Sequence, residues 1–320
     1  MDALVHSAPR QLHTIHLNIP GEAVSKLIWT LMALPHIVAA RIVIDTDILP
    51  EERITHTGMG PAADLQLRSC LQQISLRGYM DTLLEQLGGW DLPSLCCFSV
   101  DSSPSHPSGT TQDPQDLVEF LKHHGSNLDL LDLNLKNSAD VPLILDLCPN
   151  LHTFAFNADW HIRAQNNMAS NIVNRPHQHI TTIGLHGLSY AFGVGIRYSQ
   201  AMVNHRLEAN FILHSNDLNI TELNKSNFPK LHCIRALNRG MLEDLNMSNG
   251  PSESGYDRWS KWWSACVNNG IQLEDCTGQP LGTLPKNSDG EEDSDEESED
   301  GVEGGESEEE SGEESGEERG

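Results

Sequence analysis

Sixteen histidines among 320 residues make a metal centre the first chemistry to consider. His177, His179 and His186 could gather around one ion, and so could His13 and His16, because imidazole is a common zinc ligand. However, His13 and His16 are three residues apart in a stretch that reads as a strand, so they would face opposite sides of a sheet. No cysteine or carboxylate completes either ligand set. We therefore expect solvated or hydrogen-bonded histidines and no metal ion.

Short motifs that position catalytic groups or phosphates are missing from the sequence. It contains no G-x-S-x-G, H-E-x-x-H, G-x-x-x-x-G-K-[ST] or G-x-G-x-x-G. Residues 193–195 form a bare G-x-G, which is too common to indicate a nucleotide site. Asp45, Thr46 and Asp47 begin like a calcium loop, but the later ligands and the central glycine are missing. We predict neither an enzyme nor a bound cofactor.

The seven cysteines help to indicate the cellular compartment of the protein. None forms a C-x-x-C pair, and most lie inside apolar runs. Buried free thiols are typical of proteins in a reducing compartment. Residues 1–20 lack the basic start and apolar core of a secretory signal. Both features indicate an intracellular location, in the cytoplasm or the nucleus.

Negative charge is concentrated at the C-terminal end. Of the formal net charge of −26, residues 289–320 carry eighteen acidic residues and one arginine, which leaves about −9 for the rest. Residues 286–320 are rich in Glu and Gly and almost without apolar residues, so we predict a disordered acidic tail. The chain has no basic run for phosphate contacts, which argues against nucleic-acid binding. Its most apolar stretch, residues 27–40, is broken by Pro35 and His36 and is too short to cross a bilayer, so we expect no membrane association.

The elements that would position any site are indicated by a recurring pattern, apolar-x-x-apolar-x-apolar. Its last two apolar positions alternate as in a strand with one buried face. The clear copies are Leu12/Ile15/Leu17, Leu71/Ile74/Leu76, Leu95/Phe98/Val100, Leu128/Leu131/Leu133, Leu151/Phe154/Phe156 and Ile180/Ile183/Leu185. The weaker copies are Ile37/Ala40/Ile42 and Leu231/Ile234/Ala236. Several copies are separated by roughly the 20–29 residues of leucine-rich repeats.

Prolines and helical stretches separate these copies. Pro35, Pro93, Pro149 and Pro229 each stand two residues before a copy, where proline would end a helix ahead of a strand. Between copies, apolar residues follow helical spacing, as in residues 24–31. Each repeat therefore reads as a strand followed by a helix.

Repeating strands and helices predict an α/β fold. We expect a leucine-rich-repeat-like solenoid over residues 1–285, with a curved parallel sheet, outer helices and a C-terminal cap from about residue 256. The alternative is a doubly wound α/β domain, whose strands would be apolar on both faces. In the cap, Trp259, Trp262 and Trp263 would cover the last repeat, with an aromatic ligand site as the other interpretation.

Alternate strand positions are mostly polar or small, which favours one open sheet face. Side chains on that face are not needed for the core, so partner contacts are expected there. The positions predicted to bind a partner are His16, Arg41, Arg77, Asp132, Asn134, Asn157, His186 and Arg235.

A family resemblance is carried by the runs SNLDLLDLNLKNSADVPLILDLCPNLHTFAFNADW, HITTIGLHGLSY and WSKWWSACVNNGIQLEDCTG. They resemble the irregular leucine-rich-repeat portion of fungal F-box-like proteins. The resemblance implies a substrate-receptor-like module of a ubiquitin ligase, in which an F-box docks to a cullin-ligase adaptor while the repeats hold a substrate. No Leu-Pro-rich three-helix segment precedes the repeats, so an F-box is not recognisable. The asparagine of regular repeats is replaced by Pro20, Tyr79, Lys136 and Asp159, so turn backbone groups need other partners.

These features predict a non-catalytic scaffold that binds a protein partner on its open sheet face. The alternative is a histone or basic-protein binder that acts through the acidic tail. Leucine-rich repeats followed by an acidic tail also resemble the acidic nuclear phosphoprotein family of histone-binding proteins. Five tail serines have Glu three residues later, as in sites of acidophilic kinases. These candidate phosphorylation sites are Ser288, Ser294, Ser307, Ser311 and Ser315.

Overall fold

The computed structural model describes residues 12–34, 36–45, 70–78, 80–102, 114–135, 140–159, 172–188, 206–239 and 253–282. The chain divides into two units, Met1–Asn287 and Ser288–Gly320, and every described element belongs to the first. The predicted acidic tail, with its five candidate serines, lies outside the described residues. So do the G-x-G of residues 193–195 and most of the calcium-loop-like segment.

Nine strands form one parallel sheet, and each strand lies beside the next one along the chain. They are β1 (Thr14–Pro20), β2 (Ala39–Asp45), β3 (Gln73–Gly78), β4 (Cys97–Asp101), β5 (Leu130–Asn134), β6 (Thr153–Asn157), β7 (Thr182–His186), β8 (Cys233–Ala236) and β9 (Gln272–Glu274). The predicted parallel sheet is thereby confirmed. A doubly wound sheet would reverse its strand order at a switch point, and this sheet has no such reversal across its nine strands.

The apolar triplets point into the protein interior in two continuous rows. The second triplet positions align as Ile15, Ala40, Ile74, Phe98, Leu131, Phe154, Ile183 and Ile234, and Leu273 of β9 ends the row. All nine are buried. The third positions align in the same way from Leu17 to Ala236. The two weaker copies therefore form strands like the others, because cross-strand packing compensates for their smaller side chains.

In the described parts of the chain, six α-helices lie between the strands: α1 (Val24–Ala33), α2 (Asp81–Gly88), α3 (Pro114–His124), α4 (Val141–Leu147), α5 (Arg206–Glu222) and α6 (Glu253–Asn268). Their inward side chains, such as Leu83 of α2, join the inward side chains of the strands in one core. At α4, the Asp140 carboxylate caps the helix by accepting a hydrogen bond from the Leu143 amide, at 3.1 Å. Helices and strands therefore share one apolar interior on one side of the sheet.

A turn of the same kind directly precedes most strands. Pro93, Pro149 and Pro229 each occupy a four-residue turn that a backbone hydrogen bond closes, as from the Leu95 amide to the Leu92 carbonyl. Proline fits this position because its fixed φ suits the turn. The prolines therefore mark the entry to a strand, as predicted. Pro35 lies outside the described residues.

Successive repeats are also held in register by their backbones. In seven successive repeats, one carbonyl accepts hydrogen bonds from two consecutive amides of the next repeat, as the Asp129 carbonyl does from His152 and Thr153. The same arrangement recurs at the His13, Val38, Gln72, Cys96, His152 and Thr181 carbonyls. This spine satisfies backbone groups that would otherwise be buried without partners.

The C-terminal end of the sheet is closed by α6 and the segment that follows β9. The Trp259 and Trp263 indoles donate hydrogen bonds to the Gly282 and Leu281 carbonyls, at 3.0 and 3.1 Å. The Leu281 amide in turn donates to the Leu273 carbonyl of β9. Trp259 and Trp262 are buried. The Trp259 and Trp263 indoles are therefore bonded to the chain's own backbone, next to the last strand of the sheet.

Candidate functional site: the open sheet face

The eight positions predicted for partner contacts all lie on the same face of the sheet, opposite the core. His16, Arg41, Asp132 and Arg235 belong to one row across the strands, which we call the first open row. Its members in strand order are His16, Arg41, Ser75, Ser99, Asp132, Ala155, Gly184, Arg235 and Glu274.

The other four predicted residues lie in a parallel row two positions further along each strand. This second open row contains Asn18, Val43, Arg77, Asp101, Asn134, Asn157 and His186. Period-two alternation places both rows on the same face, since side chains two residues apart point the same way. The two rows together present a band of mainly polar side chains.

One ion pair and two side-chain hydrogen bonds connect the second open row laterally, and we call this chain of contacts the polar ladder. Arg77 Nε lies 3.6 Å from Asp101 Oδ2. Asn134 Nδ2 donates to Asp101 Oδ1 at 3.1 Å, and Asn157 Nδ2 donates to Asn134 Oδ1, also at 3.1 Å. Four strands, β3 to β6, are thereby linked through their side chains. The ladder restrains these groups in one arrangement on the sheet surface.

His186 and Asp132 form a closer contact that passes over an intervening strand. His186 Nε2 donates to Asp132 Oδ1 at 2.6 Å, although Asp132 is on β5 and His186 is on β7. Between them the first open row holds only small residues, Ala155 and Gly184. A Cβ added at Gly184 would lie 2.8 Å from both the Ala155 Cβ and the Leu237 Cδ1. Gly184 is therefore closely packed against Ala155 and Leu237, and a larger side chain does not fit at this position.

At the C-terminal end of the first open row, Arg235 binds Glu274. Arg235 donates through Nε and Nη2 to Glu274 Oε2, at 2.9 and 2.6 Å. The hydrogen bonds from Arg235 lower the pKa of Glu274, and the same pairing raises the pKa of Arg235. Arg235 thus joins β8 to the last strand, and its charge is already balanced within the chain.

The first three strands differ from the rest of the face. His16, Arg41 and Arg77 are exposed, whereas Ala155 and Cys233, on β6 and β8, are each only 4% exposed. Across the described parts of the chain, neither His16 nor Arg41 has a carboxylate within ion-pair distance. Among the described residues of the face, Arg41 is therefore the exposed arginine without a carboxylate partner, and it lies near the N-terminal end of the sheet.

The sequence identified Asp159 as a turn position, but it did not predict the buried polar contacts that this turn makes beside the second open row. Asp159 Oδ1 accepts hydrogen bonds from the Leu188 amide at 3.2 Å and from Asn216 Nδ2 at 3.0 Å. Asn219 Nδ2 donates to the Ala158 carbonyl at 2.9 Å. Leu188 has φ +61° and belongs to the same turn. Two asparagines three residues apart on α5 were the available signal, because that spacing places both on one helix face.

Two of the histidines considered for metal binding, His177 and His186, make separate contacts within the chain. His177 is buried, and its Nε2 lies 3.0 Å from the Cys148 carbonyl, while His186 binds Asp132. His124 makes the same kind of bond to the Leu87 carbonyl, at 3.3 Å. Burial lowers the pKa of both His124 and His177, which favours the neutral imidazole. In the described ranges, no group of three or more His, Cys, Asp and Glu side chains could hold a metal ion.

The cysteines are free thiols of three kinds. Cys148, Cys233 and Cys266 are buried, Cys70 is exposed and the others are intermediate. Burial raises the pKa of the Cys148 and Cys266 thiols to about 12. Thiols with a raised pKa are poor nucleophiles, because the thiolate is the reactive form. These two cysteines are therefore packing residues.

Among the helices that the structure describes, none is long and apolar enough to span a bilayer. In comparisons with known proteins, the chain matches no protein family, no curated protein and no solved structure.

Proposed function

We propose that this chain is a non-catalytic scaffold, an irregular leucine-rich-repeat solenoid that binds a protein partner on the open face of its sheet. The observation that carries the proposal is the alignment of the eight predicted residues in two adjacent polar rows on one face. A curved sheet with outer helices and a location in the cytoplasm or nucleus belong to the same proposal.

Preorganisation of the face supports this role. The polar ladder and the His186–Asp132 hydrogen bond hold partly exposed side chains in place before any partner arrives. Binding then costs less side-chain entropy than it would for freely rotating groups, which is about 0.5–1.5 kcal/mol for each immobilised side chain. Asp132 and His186 keep 31% and 19% of their side-chain surface exposed, so a partner can still contact them.

Charge reversal on the face tests the proposal. Arg77→Glu combined with Asp132→Arg keeps the net charge but inverts two positions of the face. We expect partner capture by the full chain to be lost while circular dichroism is unchanged. A matched control, Lys122→Glu combined with Glu119→Lys, inverts an exposed pair on α3 and should bind normally. Equal capture by both variants would contradict the proposal, and so would loss of fold together with binding.

A finer proposal follows from the resemblance to fungal F-box-like proteins: the open face would hold the substrate of a ubiquitin ligase. Under this reading, a cullin-ligase adaptor co-purifies with the chain when both are expressed together. The open-face charge-reversal variant should lose the substrate and keep the adaptor. An adaptor that never co-purifies would restrict the role to a scaffold outside the ligase.

The second candidate function is a histone or basic-protein binder that acts through the tail. It is favoured by the eighteen acidic residues and single arginine of residues 289–320. A polyanion of this density attracts basic proteins, and the attraction weakens as salt increases. Deletion of residues 288–320 should then abolish histone binding, whereas binding that survives the deletion would exclude the tail as the binding element.

A further inference from the structure

We infer that the N-terminal part of the open face, formed by His16, Arg41 and Arg77, binds an extended acidic segment of a partner protein. This inference rests on the proposed function and adds the chemistry of the partner and its place on the sheet. We call these three residues the basic patch. They lie on the three consecutive strands β1, β2 and β3.

The pairing register of the strands brings the three residues of the basic patch close to one another. His16 and Arg41 are direct neighbours across β1 and β2, and Arg41 pairs with Ser75, two residues before Arg77. With strands about 4.8 Å apart and a rise of about 3.3 Å per residue, the Cα atoms of Arg41 and Arg77 are roughly 8 Å apart. Carboxylates on alternate residues of an extended peptide have nearly the same spacing, about 7 Å. Two of them could therefore meet both arginines at once.

Local charge also selects an acidic partner. In the two open rows, the positions on β1–β3 are His16, Asn18, Arg41, Val43, Ser75 and Arg77, and none of these six is acidic. Arg77 has the carboxylate of Asp101 at 3.6 Å, yet half of its side chain is exposed and keeps donors for another group. By contrast, Arg235 already binds Glu274 at the other end of the same face. Charge complementarity thus favours β1–β3 over the remaining strands.

The exposure of the side chains also points to β1–β3 as the location of the binding site. His16, Arg41 and Arg77 are all exposed, and so are Thr14, Asn18 and Gln73 on the same face of β1 and β3. On β6–β8 the corresponding face is buried at Ala155 and Cys233. An extended segment can therefore approach the first three strands closely enough for hydrogen bonds to both arginines.

The test uses the full chain and a fluorescein-labelled peptide of alternating Glu and Ser, followed by anisotropy at physiological ionic strength. The net charge of the whole chain is −26, so general electrostatics disfavour this peptide and saturable binding requires a local site. Arg41→Gln combined with Arg77→Gln should weaken binding by roughly three- to tenfold, as expected from the loss of two exposed ion pairs.

Matched controls distinguish the effect of the basic patch on binding from the effect of total charge. Lys230→Gln combined with Lys261→Gln removes the same charge from exposed positions outside the open face and should leave affinity unchanged. Arg41→Lys with Arg77→Lys should keep most of the binding. Absence of saturable binding, or equal weakening by the Arg41/Arg77 and Lys230/Lys261 glutamine variants, would overturn the inference.

The outcome also distinguishes this inference from the proposed function. If the acidic peptide does not bind, but inversion of Arg77 and Asp132 still removes the partner, the open face keeps its role and only the acidic chemistry of the partner is refuted. If neither peptide binding nor partner capture responds to changes on the face, the inference and the proposed function are both refuted.

Discussion

Replacing Gly184 with alanine should destabilise the protein, although alanine normally favours a strand over glycine. Gly184 lies on β7 in the first open row, beside Ala155 of β6. A Cβ at this position would be 2.8 Å from the Ala155 Cβ and 2.8 Å from the Leu237 Cδ1. Leu237 can rotate away, but the Ala155 Cβ is fixed to the backbone of a paired strand. The two strands must therefore shift by several tenths of an ångström.

The size of this effect follows from two opposing terms. Overpacking of a closely packed site costs about 1–3 kcal/mol, and replacing glycine stabilises by about 0.4–1 kcal/mol through the unfolded state. We expect a net loss of roughly 1–2 kcal/mol in the free energy of unfolding, measured by urea denaturation. Gly21→Ala is the matched control, because a Cβ there meets no atom within 4 Å.

A second substitution tests the cause. Ala155→Gly removes the atom that the new Cβ at position 184 would approach, so the double variant should recover part of the stability lost by Gly184→Ala. The explanation is refuted if Gly184→Ala unfolds at the same denaturant concentration as Gly21→Ala. Additive losses in the double variant would also refute it.

Three further predictions concern buried and paired groups. His177→Leu should cost about 1–3 kcal/mol in urea denaturation, because the Cys148 carbonyl loses its donor. Burial lowers the pKa of His124 and His177, so the unfolded chain binds more protons and stability should fall as pH drops below the ordinary histidine pKa. Glu274→Gln should reduce stability by less than about 1 kcal/mol, since the partly exposed Arg235 is screened by solvent.

Each of these predictions has a contradicting outcome. His177→Leu with wild-type stability would show that the carbonyl has another donor. A pH profile that is flat between the ordinary histidine range and mildly acidic conditions would show that the buried imidazoles do not resist protonation. A loss of several kcal/mol for Glu274→Gln would mean that the pair is shielded from solvent far more than its exposure indicates.

The strands and the open face were predictable because both depend on local alternation. Ile74, Leu131 and Phe154 stand in triplets whose period of two identifies the buried side, and the intervening Asp132 then has to face outward. The prolines added the turn positions, since their fixed φ limits where they fit. Parallel pairing in chain order followed from the repetition of strand and helix.

Contacts between distant residues could not be predicted in this way. Asp132 and His186 are 54 residues apart, and Asp159 and Asn216 are 57 apart. Whether these residues come into contact depends on the number of residues between successive strands. The alternation within one strand contains no information about that number. Burial of Ala155 on the nominally open face likewise depends on side chains that come from other repeats.

Site-specific photo-crosslinking in cells tests the central claim most directly. A photoreactive amino acid would replace Ser75 or Ser99 of the first open row, and Glu119, exposed on α3, would be the control position. We predict that one partner protein is crosslinked from both sheet positions and not from Glu119. Crosslinks of that partner from Glu119 alone, or equally from all three positions, would contradict a binding role for the open face.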